Sequence, residues 1–126
     1  MRIFLRLKHA VQLLACPAVV QLFILPDFVC KGDELALDFS HWRDVVQSRY
    51  RQELSAEQDT GLNEIDHKLK TITKWSDEDV RTTTAWEDIR QNARQLLAAF
   101  EWPQDTPPSY AHEYVTRDPR AKSYFQ

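Results

Sequence analysis

A chain of 126 residues, 43% hydrophobic and 28% charged, is long enough to bury one core without disulfide staples and too short for two. Only two glycines and six prolines leave little for linkers or for the frequent turns of a sandwich or barrel, which disfavours disorder and an all-β fold. The formal net charge of −3 is unevenly spread: residues 1–31 carry Arg2, Arg6, Lys8 and Lys31 against Asp27 alone, so the acidic excess lies beyond them, where it repels nucleic acid and attracts cations.

Ile3, Phe4, Leu7, Val11 and Leu14 recur at spacings of three and four, the pattern of an amphipathic helix; the alternation of Ile3, Leu5 and Leu7 leaves a strand as the alternative for residues 2–8. Leu13, Leu14, Ala15 and Cys16 resemble a lipoprotein cleavage box, but His9 and Gln12 interrupt the apolar run before it and Pro17 follows the cysteine. Residues 10–26 are uncharged yet shorter than the ~18 residues a membrane span needs, so residues 3–25 read as buried core. Pro17 opens a second helix through Val19, Val20, Leu22, Phe23 and Leu25; being apolar nearly all round, it is expected to be central.

From Asp33 the apolar positions Leu35, Phe39, Trp42, Val46, Tyr50 and Leu54 predict a long helix, with Ser40 as a candidate break and Arg43, Arg49 and Arg51 on its exposed side. Ser55 with Gln58 forms a capping box, Gly61 marks a break, and Leu62, Ile65, Leu69 and Ile72 predict a helix ending near Trp75. Ser76 with Asp79 repeats the capping pattern and opens a long, regular helix over residues 77–101, stopped by Pro103. The helices of residues 62–75 and 77–101 are expected to pack antiparallel across the turn at Ser76. Residues 103–126 form a Pro-rich extension with Tyr110, Tyr114, Tyr124 and Phe125, read as a short helix plus a wrapping end on the 1–102 bundle. The fold class is all-α, an irregular bundle of four to six helices.

Catalytic patterns are missing from the sequence. Gly32 and Gly61 stand alone, which excludes a phosphate-cradling loop or dinucleotide fingerprint, and no G-x-S-x-G elbow is present. Cys16 and Cys30 lack C-x-x-C spacing and read as free, buried thiols, with a single disulfide between them as the alternative, and neither a metal nor a cofactor is expected. His41 and His67 read as border-of-core histidines rather than bases. Glu64 and Asp66 point to different helix faces and make no acid–base pair.

Binding is the remaining chemistry. Glu53, Glu57, Asp59, Glu64 and Asp66 follow one another with no Lys or Arg between them, and Asp77, Glu78 and Asp79 begin a second cluster. These two runs, the first preferred and presumed exposed, are the candidate contacts for a cationic partner, with Trp75 and Trp102 at helix ends as aromatic anchors. Leu25-Pro26-Asp27-Phe28-Val29, then Asp33-Glu34-Leu35-Ala36-Leu37-Asp38-Phe39 and Trp42, resemble the small α-helical immunity proteins of bacterial contact-dependent growth inhibition and polymorphic toxin systems, over roughly residues 17–50. The resemblance implies a cytoplasmic domain without cofactor, catalysis, or direct nucleic-acid or membrane binding. Its partner would be a cognate toxin domain, often a basic nuclease, whose active site it occludes. A helical regulatory or nucleic-acid-associated protein using Arg43, Arg49 and Arg51, or a small enzyme with a polar pocket, are the alternatives.

Overall fold

The computed structural model describes residues 2–110, with side chains from Phe4 onward. Among these residues the fold is all-α: α1 (Arg2–Ala15), α2 (Ala18–Ile24), α3 (Lys31–Tyr50), a 3-10 turn (Arg51–Glu53), α4 (Ala56–Thr71), α5 (Asp77–Thr82) and α6 (Thr84–Ala99). Tyr114, Tyr124 and Phe125 of the expected wrapping end lie outside the described residues, and no helix among the described ones is long and apolar enough to cross a membrane.

The strand alternative for residues 2–8 gives way to helix because Leu7, Ala10, Val11 and Leu14 meet on one face and are buried there. That face sits between α3 and α6. Phe4, early in α1, packs edge-on against Tyr50 at the end of α3, and Arg94 of α6 donates from Nε to the Ala15 carbonyl at 3.1 Å. Helix α4 lies antiparallel to α6, with Gln58 donating to the Ala99 carbonyl at 3.1 Å and Lys68 to Asn92 at 2.5 Å. The core at the centre of these contacts includes Phe39, Leu62, Ile65, Trp86, Ile89 and Leu96.

Several expectations need correction. The single helix over 77–101 is two, parted at Thr83, whose backbone is extended at φ −83°, ψ 146°. Thr82 and Thr83 donate their hydroxyls to the carbonyls of Glu78 and Asp79, and such back-bonding by β-branched residues competes with helix continuation. Buried Arg90 then donates from Nη1 to the Val80 carbonyl at 2.9 Å, satisfying a carbonyl that the interrupted helix leaves free. Helix α6 ends at Ala99, before Pro103: Glu101 takes φ 58°, and the amides of Glu101 and Trp102 reach back to Ala98 and Leu97 in a left-handed cap.

Gly61 does not break α4. A Cβ there would stand 2.7 Å from Leu96 Cδ1, so glycine lets α4 and α6 approach closely. Helix α4 stops at Thr71 rather than near Trp75, and the expected antiparallel packing holds with α6, the later part of the 77–101 stretch. Ser40 does not interrupt α3, which runs unbroken from Lys31 to Tyr50. The two capping boxes, Ser55–Gln58 and Ser76–Asp79, form with both reciprocal hydrogen bonds.

Helix α2 is peripheral, against the expectation of a central segment. Gln21 turns inward, donating from Nε2 to the carbonyls of Leu13 and Leu14 at 3.1 and 3.0 Å. Satisfying those carbonyls from a buried amide fixes the helix's rotation and leaves Val19 and Phe23 on the outside.

Candidate functional site

The two acidic runs fold into different surroundings. In the first, Asp66 is buried, with Arg43 at 3.4 Å and Lys70 at 2.9 Å. Asp59 accepts from Gln47 at 2.8 Å and lies 3.3 Å from Arg51, while Glu64 lies 3.8 Å from Lys68 and accepts from Asn92 at 3.3 Å. The expectation that this series is uncompensated is therefore wrong at Asp59, Glu64 and Asp66, and the expectation that it is exposed is wrong at Asp59 and Asp66, while Glu64 is exposed. The cations come from α3, from the 3-10 turn after it and from the next turn of α4 itself, four residues away on the same face, which a scan for consecutive charges overlooks. Arg43, expected on the exposed side of α3, is correspondingly half-buried.

Glu53 and Glu57 remain exposed. Glu57 and Glu64, two turns apart, edge a groove of about 340 Å³ between α4 and α6 whose floor is Gly61 and Leu96 and whose far wall carries Asn92 and Gln95. The groove is open, and it gathers carboxylates, amides and the Thr60 hydroxyl, with no cysteine or histidine in its lining. His41 and His67 are exposed on α3 and α4, away from it.

In the second run Asp79 is engaged in the Ser76 cap and Glu78 pairs with Arg81. Asp77 is exposed and, among the described residues, has no ion-pair partner, and the same holds for Asp33 in the first turn of α3. Partial burial of the Cys30 sulfur pushes its thiol up, and the carboxylates of Asp33 and Asp77 add to that push against an opposing hydrogen bond from the Asp33 backbone. The first turns of α3 and α5 converge: the Cys30 sulfur, just before α3, lies 4.0 Å from the carbonyl oxygen of Trp75, just before α5. Gly32 makes the convergence possible: a Cβ there would meet the Trp75 carbonyl oxygen at 2.7 Å. Contrary to expectation Cys30 is exposed; Cys16 is buried, and both are free.

Trp75 is half-buried, edge-on to Trp86 with ring centroids 5.8 Å apart, and Trp102 is half-buried, stacked on Phe100 at 4.0 Å. Both rest on the core with part of the ring facing solvent. The most exposed large apolar groups are instead Phe23 and Val19 of α2, at 88% and 72%. Sequence reasoning assigned them to the core; the one signal against that was Gln21, two positions from each.

A third polar cluster joins the extended segment after α6 to α1. His9 Nδ1 lies 2.5 Å from the Tyr110 hydroxyl, and the Arg6 guanidinium lies over the Tyr110 ring at 3.7 Å and the Trp42 ring at 4.9 Å. Gln12 donates to the Pro103 carbonyl at 2.9 Å. Burial, with smaller contributions from Lys8 and Arg6, lowers the His9 pKa and favours the neutral ring. Comparison with protein-family models, curated proteins and solved structures found no match.

Proposed function

We propose that this chain works by stoichiometric binding of a cationic protein partner, as an immunity-type protein that occludes the active site of a cognate toxin domain in the cytoplasm. The observation that carries this reading is the pair of exposed carboxylates, Asp33 and Asp77, at the converging starts of α3 and α5, where Gly32 lies against the Trp75 carbonyl, neither with an ion-pair partner among the described residues. Both also lie in the first turn of a helix, where the backbone dipole stabilises the negative charge and keeps it available. A nuclease cleft built to hold phosphates is positively charged, so a carboxylate surface would enter it in place of the substrate and would speed the encounter by steering. On this reading the protein needs neither metal nor cofactor, because inhibition is by occupancy.

The test is association with the protein encoded beside this chain, followed by calorimetry and stopped-flow mixing. A one-to-one complex is expected, forming at least about tenfold more slowly when salt rises from about 20 to about 300 mM. No complex, or an intrinsic hydrolytic activity abolished by His41→Ala or His67→Ala, would contradict the proposal.

A further inference from the structure

The segment after α6 crosses α1 as a strap held by side chains. Gln12 donates to the Pro103 carbonyl at 2.9 Å, the Thr106 side chain hydrogen-bonds the buried Cys16 sulfur, Pro107 is buried, and Tyr110 closes on His9 and Arg6. Among the described residues no backbone–backbone hydrogen bond joins residues 103–110 to the bundle. Pro103, Pro107 and Pro108 lack an amide donor and restrict φ, so the strap is shaped in advance and can dock or lift with little ordering cost.

Tyr110 serves two groups at once: its hydroxyl lies 2.5 Å from His9 Nδ1, and its ring lies under the Arg6 guanidinium at 3.7 Å. An uncharged imidazole with its proton on Nε2 accepts the hydroxyl proton at Nδ1. An imidazolium has two donors and no acceptor, so the hydrogen bond must reverse and a second cation meets Arg6 across one ring. The charges that act on His9 are those of Lys8 and Arg6, both on α1. Of the other elements packed on α1, α3 brings Trp42 to Arg6, with exposed His41 edge-on to Trp42 at 4.6 Å; α6 brings Arg94 to the Ala15 carbonyl; and the strap's one charged residue, Asp105, is exposed. Burial, then Lys8 and Arg6, lower the pKa of the docked His9, so a lifted His9 takes up its proton at higher pH. Docking is intact above the ordinary imidazole value of 6.5, weakens as pH falls below it, and weakens no further once pH is below the lowered value. We propose that residues 103–110 are an acid-released strap: neutral His9 holds them on α1 through Tyr110, and a proton on His9 lifts them and opens Cys16 to solvent. The inference is independent of the partner reading above.

The probe is the thiol reagent dithiodipyridine, applied to the full chain carrying Cys30→Ser, in which Cys16 is the one remaining thiol. Comparing that chain with its His9→Gln derivative at the same pH cancels the ionisation of the thiol itself. The two should react within about twofold of each other at about pH 8, and the chain with His9 should react at least about fivefold faster at about pH 5, its helical circular dichroism unchanged. Tyr110→Ala should react fast at both pH values. It should also raise the His9 titration midpoint, followed by NMR of the imidazole carbons, because the ring is then less covered. Equal rates for the two chains at about pH 5, or a His9 midpoint that Tyr110→Ala leaves in place, would overturn the inference. So would a pH dependence removed by His41→Gln rather than His9→Gln, or thiol exposure that comes only with loss of the helical signal.

Discussion

Around α4 the carboxylates work inward: Asp66 holds Arg43 of α3 and Lys70 of α4 itself, Asp59 holds Gln47 of α3 and Arg51 of the 3-10 turn, and the Arg43 and Gln47 contacts fasten the helix to α3. Around the starts of α3 and α5 they face outward, with Asp33 and Asp77 beside an apolar helix that offers no cation to draw them in. The difference follows from the neighbours. Helix α4 borders the arginine-bearing end of α3, so its acids become structural, while α5 borders α2, whose polar contribution is the neutral, buried Gln21. Equal acidity along a chain therefore produces one region that holds the fold together and another whose carboxylates stay at the surface.

The largest expected effect lies beneath the second region. Arg90→Ala leaves the Val80 carbonyl and Gln21 Oε1 without their donor in a buried site and should cost about 3–5 kcal/mol in urea unfolding. Hydrogen exchange should show the loss of protection concentrated in α2 and α5 rather than α4; uniform loss would mean the two ends are not separable. The same guanidinium, by hydrogen bonding, holds the Glu87 carboxyl below its ordinary pKa. That contribution to stability is present above the ordinary carboxylate pKa and fades as pH falls through the depressed one, so the Arg90→Ala variant should lose less stability on acidification than the parent.

Asp66→Ala comes next, at about 2–3 kcal/mol, because the half-buried Arg43 loses its carboxylate partner on α4. Asp77→Ala, exposed and unpaired, should cost less than about 1 kcal/mol, the scale of a first-turn dipole interaction. If the two substitutions cost alike, the division into structural and available carboxylates fails. Gly32→Ala should cost about 1–2 kcal/mol, since its Cβ meets the Trp75 backbone and must push the linker before α5 away. The smallest effect is kinetic. Asp77→Asn should speed alkylation of Cys30 about twofold at neutral pH by removing a charge that opposes the thiolate, with buried Cys16 unreactive in both proteins.

Local chemistry was legible in the sequence. Ser55 with Gln58 and Ser76 with Asp79 start helices because each box is completed within three residues, and the periodicity of Leu7, Val11 and Leu14 places α1 for the same reason. What failed depended on distant partners. Gly61 reads as a break until Leu96 is placed against it, and the run from Asp77 to Phe100 reads as one helix until Arg90 is seen to bond Val80 across the Thr83 break. Phe23 reads as core because hydrophobicity alone does not say which way α2 rotates; the carbonyls of Leu13 and Leu14, met by Gln21, decide it. The acidic run before Asp66 reads as free charge because its cations stand on another helix or one turn on, not between the acids.

The sharpest measurement compares two charge reversals in association with the protein encoded beside this chain, at low and high salt. Asp33→Lys with Asp77→Lys should slow association at least about tenfold at low salt and flatten its salt dependence, while Glu57→Lys with Glu64→Lys should leave the rate within about twofold of the parent. A rate unchanged by the first pair, or reduced by the second alone, would contradict the assignment of the binding surface to the converging starts of α3 and α5.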